Sequence, residues 1–141
     1  MKILVDTNII IDAMTGREPF REVAEQIFML AANQIEEMYI TASSATDIYY
    51  LVRKHLRNTD QAKNTMSKLY ELFHILDVTS GDCQEALSSE VKDYEDAVVA
   101  NCAKRNQMDY IVTRNIRDFV HSKVRALLPD ELLKHIYQSE E

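Results

Sequence analysis

The chain has 141 residues, of which 46% are hydrophobic and 28% are charged. This length and composition are those of one ordinary globular domain, so we predict a single domain spanning residues 1–141. The net charge of -7 excludes broad, non-specific adhesion to nucleic acid, because that kind of binding needs clustered lysine and arginine side chains.

Four short apolar segments of the sequence predict buried β-strands, and they lie at residues 2–5, 38–41, 74–78 and 110–113. Longer stretches with helical spacing lie between them. This alternation of strand and helix is typical of a parallel sheet that helices cover on both faces. We therefore predict an α/β protein, a three-layer α/β/α sandwich with a central parallel sheet of four to five strands.

The predicted helices are recognised by apolar residues at intervals of three and four and by residues that favour helix ends. None of them is long or apolar enough for a membrane span, which needs roughly 20 apolar residues. In chain order they are a short turn at 8–14, a helix at about 18–33, one capped by Ser43 or Ser44, one at about 60–73, a short one after 79–82, one beginning at Asp93 and one beginning at Pro129.

The chain shows no sign of secretion, of a disulfide framework or of a zinc site. Its apolar start is interrupted by Asp6, Asn8 and Asp12 and has no signal-peptide cleavage site. Cys83 and Cys102 belong to no CxxC unit, and the four histidines show no HxxH or HExxH spacing. We therefore expect a cytoplasmic protein that has no membrane contact.

Four aspartates follow strands or begin helices, which is where open α/β sheets place their ligands. Asp6 follows the first strand, Asp47 and Asp96 lie in the first turns of helices, and Asp118 lies in the polar turn after the fourth strand. Each one alone has a local explanation as a helix cap, a solvated first-turn acid or a turn residue. Four such acids at one edge of a sheet are a pattern that capping does not predict.

Carboxylates gathered at one edge would need a compensating charge. Two of them about 4 Å apart repel by roughly 1 kcal/mol in water and about 4 kcal/mol at an intermediate dielectric, so a cluster needs a cation or a shared proton. Mg²⁺ or Mn²⁺ suits all-oxygen ligands best. We expect one of these ions here, and we leave Asp12, Asp77 and Asp109 out of the site because their structural interpretations are stronger.

The acids occur within longer motifs that resemble the PIN-domain ribonucleases, a family that includes VapC-like toxins of bacterial toxin–antitoxin pairs. The motifs are LVDTNIIIDA, SATDIYYLVRK, DYEDAVVANCAKRNQMDYIVTRNIRDF and LLPDELL, and the match spans nearly the whole chain. The resemblance implies the three-layer α/β fold of that family. It also implies that Asp6, Asp47 and Asp96 take the family's three most regular acidic positions.

Two positions depart from the family pattern. Asp47 stands where many relatives carry Glu, which shortens the reach of the side chain but keeps the ligand type. The fourth position is Thr-x-Asp in many relatives and Thr-Arg-Asn at residues 113–115 here, so either Asp118 or Asn115 fills it. The residues expected to orient the carboxylates and this loop are Asn8, Thr113 and Asn115.

The activity that the resemblance implies is that of a divalent-metal-dependent endoribonuclease, a hydrolase that leaves a 5′-phosphate and a 3′-hydroxyl. We expect Asp6 and Asp96 to bind the metal ion directly, while Asp47 and Asp118 complete its shell or hold water at a second metal position. A metal-bound water would attack the phosphodiester in line. Related proteins commonly form homodimers, and the toxins among them are inhibited by a small antitoxin, so both are candidate partners beside RNA.

An acidic pocket repels RNA until a metal ion is bound, so the substrate needs a basic rim. Each candidate for the rim is equally a solvated surface residue. Tyr49 and Tyr50 are candidates for stacking on bases, although packing is the stronger interpretation for at least one of them. The rim candidates are Arg53, Lys54, Arg57, Arg114 and Arg117.

Two other functions are weighed against the ribonuclease. The VDTN segment superficially resembles phosphohydrolases with an Asp nucleophile after the first strand, but these usually carry a second Asp where this chain has Asn8. The other alternative is a catalytically weak or inactive PIN-like module that binds RNA or protein. The altered fourth position is the feature that would favour it.

Overall fold

The computed structural model describes residues 1–138, and residues 139–141 of the predicted domain lie outside this described part. Its five strands are β1 (Lys2–Val5), β2 (Glu37–Thr41), β3 (His74–Leu76), β4 (Tyr110–Val112) and β5 (Ala126–Leu127). They form one parallel sheet in the order β3-β2-β1-β4-β5. The predicted α/β class and central parallel sheet are confirmed.

Helices cover both faces of the sheet. A 3-10 turn at Ile116–Phe119 follows β4. Within residues 1–138, no helix combines the length and the apolar character that crossing a membrane would require. The helices are α1 (Thr7–Thr15), α2 (Arg21–Ala32), α3 (Ala42–Leu56), α4 (Thr59–Leu72), α5 (Ser80–Ala86), α6 (Tyr94–Arg105) and α7 (Pro129–Gln138).

The central strand β1 shows how the sheet divides the core into two layers. Successive side chains of a strand point to opposite faces. Ile3 and Val5 therefore join the larger apolar cluster, which contains side chains from α1, α2, α3, α4 and α7. Leu4 joins the second cluster, which contains side chains from α5, α6 and the 3-10 turn. The sheet and the helices packed against it through these two clusters form the three layers that the sequence predicts.

Three local features differ from the sequence-based expectations. His74 and Ile75 of β3 are exposed rather than buried, because β3 is an edge strand. The cap of α3 is Thr41, whose hydroxyl accepts a hydrogen bond from the Ser44 backbone nitrogen at 3.1 Å, and neither predicted serine takes that place. The predicted sheet of four to five strands includes a fifth, but the position of β5 could not be assigned from the sequence, because its two residues are too few for a periodic pattern.

The strand order places a crevice beside β1. The chain adds β2 and β3 on one side of β1 and later adds β4 and β5 on the other side. The connections leaving the carboxyl ends of β1 and β4 therefore diverge to different sides, and such switch points are where open α/β sheets bind their ligands. Both the first predicted acid and the polar turn after β4 lie at this edge of the sheet.

Candidate active site

Asp6 lies at the carboxyl end of the central strand and is only 8% exposed. One carboxylate oxygen accepts a hydrogen bond from the Thr7 backbone nitrogen at 2.9 Å, which makes Asp6 the N-cap of α1. The other accepts one from the Thr113 hydroxyl at 2.8 Å. Burial raises the pKa of Asp6, and these two hydrogen bonds offset only part of that rise. Capping thus occupies one oxygen, and the second is hydrogen-bonded to Thr113 across the switch point.

Asn8 and Thr113 surround the second oxygen of Asp6. The Asn8 amide nitrogen lies 3.4 Å from both that oxygen and the Thr113 hydroxyl oxygen. Thr113 is fully buried, and its hydroxyl also accepts a hydrogen bond from the Asn115 backbone nitrogen at 3.0 Å. The structure therefore brings all three predicted supporting residues to one place. Their role in orienting the carboxylate stays a prediction.

Asp96 lies in the first turn of α6, where its backbone nitrogen donates to the N-cap Asp93 at 3.0 Å. Burial raises the pKa of Asp96 to about 7, and nearby negative charges contribute to that rise. The first of these charges is Asp6, which is 90 residues away in the chain, and another is Asp118. Asp118 also raises the pKa of Asp6. Three carboxylates from distant segments therefore lie within electrostatic reach of one another.

A cleft of about 580 Å³ opens between α3 and α6 and contains three of the four predicted acids. Asp6 and Asp96 line it together with Asp47, which is exposed on the first part of α3. A smaller adjoining cavity of about 280 Å³ is lined by Asp6, Asp96 and Asn115 among others. Asp118 contributes its charge from the exposed 3-10 turn. The predicted acids thus meet at one edge of the sheet.

The carboxylates of the cleft supply oxygen ligands for a divalent cation. No three histidine, cysteine or carboxylate side chains within the described chain stand close enough to form a complete metal cage. Mg²⁺ does not require one, since it usually keeps several waters and binds proteins through one or two carboxylates. Asp6 and Asp96 fit this mode because both supply hard oxygen ligands and each carries a pKa raised by burial and by neighbouring carboxylates. A cation would relieve that repulsion.

Arg114 lines the smaller cavity that also contains Asp6 and Asp96, and its guanidinium group is held there by an ion pair. Its Nε donates to Asp12 at 2.6 Å and its Nη2 donates to the other oxygen of the same carboxylate at 3.2 Å. The guanidinium carbon also lies 4.0 Å from the centre of the Phe20 ring. The Asp12 side chain is 1% exposed and that of Arg114 is 22% exposed, so this is a partly buried ion pair that ties the loop after β4 to α1. The contact of Arg114 with RNA stays a prediction.

The other four basic candidates are exposed and lie outside the described lining of the cleft. Arg53, Lys54 and Arg57 are at the far end of α3, and none of them is among the described residues that line the cleft. The Arg53 Nε donates to the Thr59 hydroxyl at 3.2 Å. Arg117 lies on the 3-10 turn next to Asp118. Their contact with RNA stays a prediction.

The two candidate stacking tyrosines have different surroundings. Tyr49 lines a groove between α3 and α4 and packs against the larger core cluster. Tyr50 lines the acidic cleft. The sequence analysis missed Tyr94, which also lines the cleft and donates its hydroxyl to the Cys83 carbonyl oxygen at 3.2 Å. Its position two residues before Asp96, at the start of the same helix, is the signal that could have found it.

The fold and the cleft define a three-layer α/β protein with acidic side chains at the switch point of a parallel sheet. The model of the PIN domain family matches residues 2–117 of the sequence. The chain therefore belongs to the PIN domain family, and the predicted family resemblance is confirmed. A search of the curated proteins found none that matches.

Solved structures with a similar fold cover nearly the whole chain. VapBC2 from Rickettsia felis bound to a DNA fragment from their promoter is 17% identical, with a TM-score of 0.67 over 91% of this chain and 98% of that one. FitAcB from Neisseria gonorrhoeae is 22% identical with a TM-score of 0.65, and the match covers 90% of this chain and 97% of that one. A toxin–antitoxin complex from Klebsiella pneumoniae is 21% identical with a TM-score of 0.65, and the match covers 90% of this chain and 97% of that one. At these identities the likeness shows the fold.

Proposed function

We propose that this PIN-domain protein is a divalent-metal-dependent endoribonuclease. The observation that supports this most strongly is the meeting of Asp6, Asp96 and Asp118 at the carboxyl edge of the sheet, where Asp118 raises the pKa of both other carboxyls and Asp6 raises that of Asp96. Capping explains the position of each acid separately but not their shared electrostatic field. A cluster of this kind is typical of sites that bind a hard cation and a phosphate.

In the proposed mechanism, Asp6 and Asp96 hold the Mg²⁺ or Mn²⁺ ion. When bound, the ion supplies an activated water and neutralises negative charge on the phosphodiester. Thr113 and the backbone of Thr7 hold Asp6 in one orientation through their hydrogen bonds. Asp47, on the α3 wall, and Asp118, on the 3-10 turn, accept hydrogen bonds from water entering the site. These contacts keep the reacting groups in place before the substrate arrives.

We also propose that the protein is the toxin of a toxin–antitoxin pair, that it acts in the cytoplasm and that it forms a homodimer. The family match and the similar fold of the Klebsiella pneumoniae toxin–antitoxin complex support the first of these. A small antitoxin that covers the acidic cleft would block access to the carboxylates. Co-purification of the chain with the product of an adjoining gene, and loss of RNA cleavage in that complex, would support this pairing.

The proposed activity is tested by incubating the purified protein with end-labelled single-stranded RNA, with Mn²⁺ and with a chelator. We expect cleavage with Mn²⁺ only, and a loss of at least about 100-fold in the Asp6→Asn variant, because ligand loss costs at least as much as loss of a residue that supports a ligand. The exposed helix-start acid Asp60 provides the matched control, and Asp60→Asn is expected to cleave like the wild type.

The other outcomes of this experiment separate the competing functions. RNA that is bound but not cleaved in Mg²⁺ or Mn²⁺ would favour a binding module. Hydrolysis of p-nitrophenyl phosphate without RNA cleavage would favour an Asp-nucleophile phosphohydrolase. Cleavage that persists in the chelator, or that Asp6→Asn leaves unchanged, would contradict the proposed mechanism.

A further inference from the structure

Two exposed tyrosine rings stand in the same cleft as the acids. Tyr50, on α3, is 65% exposed, and Tyr94, the first residue of α6, is 46% exposed. Both line the cleft that Asp6 and Asp96 also line. The rings therefore lie on two different elements that border the proposed reaction site.

The position of Tyr94 is fixed by its hydroxyl. That group donates to the Cys83 carbonyl oxygen at 3.2 Å, which ties the start of α6 to α5 while leaving nearly half of the side chain exposed. A ring held in this way loses little conformational freedom when a ligand packs on it. Leu51, Val78 and Val99 are among the apolar side chains of the lining, which also contains the polar Ser43 and Glu95. The cleft thus offers a planar apolar surface that is in place before binding.

The chemistry of the cleft favours a nucleotide base as the group that binds there. Its volume of about 580 Å³ lies within the usual range for small-ligand sites, roughly 300–1,000 Å³. The acids repel a phosphate that is not beside a cation, whereas a base is uncharged and stacks on an aromatic ring. A base can therefore enter the cleft while the adjoining phosphate stays near the carboxylates and their cation.

We propose that Tyr94, assisted by Tyr50 on the α3 wall, forms a base-stacking subsite for a nucleotide next to the scissile phosphate. This inference rests on the proposed ribonuclease function and adds a specificity-determining residue to it. The ring of Tyr94 stacks on the base, and its hydroxyl serves only to hold the ring. The nucleotide in the subsite must be unpaired, because a base within a duplex has no free face to offer.

The test compares Tyr94→Leu with Tyr94→Phe in the presence of Mn²⁺. Two substrates are used, a single-stranded RNA and the same RNA lacking one base beside the cleavage site. On intact RNA, Tyr94→Leu is expected to lower kcat/KM by about 5- to 150-fold, the range that corresponds to one stacked base. Tyr94→Phe keeps the ring, and its kcat/KM is expected to stay within about 3-fold of the wild-type value. Tyr137 is 49% exposed on α7, outside the described lining of the cleft, so Tyr137→Leu is the matched control.

The RNA that lacks a base makes the test independent of how well the leucine variant folds. The wild type is expected to lose as much activity on this RNA as Tyr94→Leu loses on intact RNA. Tyr94→Leu is expected to show little further loss on it, because the ring and the base contribute one shared interaction. If the missing base costs the wild type and Tyr94→Leu equally, the ring does not stack on that base and the proposal is overturned.

Two further results distinguish the failure of this inference from the failure of the proposed function. If the wild type cleaves no RNA, the ribonuclease proposal fails, and the subsite is then tested by fluorescence anisotropy with the same two RNAs carrying a dye. Equal binding of the two RNAs by the wild type would overturn the subsite. A change in oligomeric state on Tyr94→Leu, with unchanged RNA cleavage, would place the ring in an interface between copies and would also overturn it.

Discussion

The Asp96→Asn variant is expected to lose RNA cleavage by at least about 100-fold and, without metal, to be more stable than the wild type. The activity falls because an amide oxygen is a poorer ligand for a hard cation than a carboxylate. The stability rises because the neutral amide removes one negative charge from a half-buried cluster that also contains Asp6 and Asp118. An ordinary helix-start acid would show neither effect.

The gain in stability depends on pH in a defined direction. The pKa of Asp96 is about 7 in the folded protein and has its ordinary value of 3.8 in the unfolded chain. The folded state therefore loses stability relative to the unfolded state as pH rises from 3.8 through 7, and the full cost is present above 7. After allowance for solvent screening, this cost is about 1–2 kcal/mol, or ~3–6 °C in Tm.

Thermal unfolding in a chelator at pH 5 and at pH 8 measures this effect. Asp96→Asn is expected to raise Tm more at pH 8 than at pH 5, whereas Asp60→Asn is expected to change Tm by less than about 1 °C at either pH. The same gain in Tm at both pH values would show that burial and neighbouring charges do not raise the pKa of Asp96 in the folded protein.

The Arg114→Ala variant is expected to lower the free energy of unfolding by about 3–5 kcal/mol, because it leaves a buried carboxylate without its partner. The side chain of Asp12 is 1% exposed, and Arg114 supplies both charged hydrogen bonds to it. The contact of the guanidinium group with the Phe20 ring is lost as well. Both losses act on the loop that carries Thr113, so cleavage is also expected to fall.

Urea unfolding of the wild type and three variants separates the cost of the unpaired charge from the contribution of the ion pair. The matched control is Arg117→Ala, which removes an exposed arginine from the same segment and is expected to cost less than about 0.5 kcal/mol. Removing both partners, in Asp12→Ala with Arg114→Ala, is expected to recover part of the stability that Arg114→Ala loses. A double variant less stable than Arg114→Ala would contradict a penalty from the unpaired carboxylate.

The fold could be predicted from the sequence because its signals are local. The apolar segments of β1, β2 and β4 are contiguous, and the helices between them carry regular apolar spacing and clear caps such as Asp93. Parallel strands then place their carboxyl ends at one edge, which is why Asp6 was expected to lie at the site. The exposure of β3 could not be predicted, because the order of strands in a sheet is not a local property.

The candidate site could be predicted less completely, because several of its contacts join distant segments. Arg114 and Asp12 are 102 residues apart. In the sequence, each of them looks like an ordinary charged surface residue. Tyr94 could not be assigned to the cleft from the sequence, because its place there depends on how α6 packs beside α5. The fourth acidic position stays open, since Asp118 acts electrostatically on two carboxylates while Asn115 lines the adjoining cavity.

Isothermal titration of the metal-free protein with Mn²⁺ tests most directly whether Asp6 and Asp96 share one divalent ion. The wild type and Asp60→Asn are expected to bind Mn²⁺ with the same affinity. Asp6→Asn and Asp96→Asn are each expected to bind Mn²⁺ at least about 10-fold more weakly, because each variant lacks one carboxylate ligand. Equal affinity in all four proteins, or no binding by the wild type, would contradict a shared metal site at this edge of the sheet.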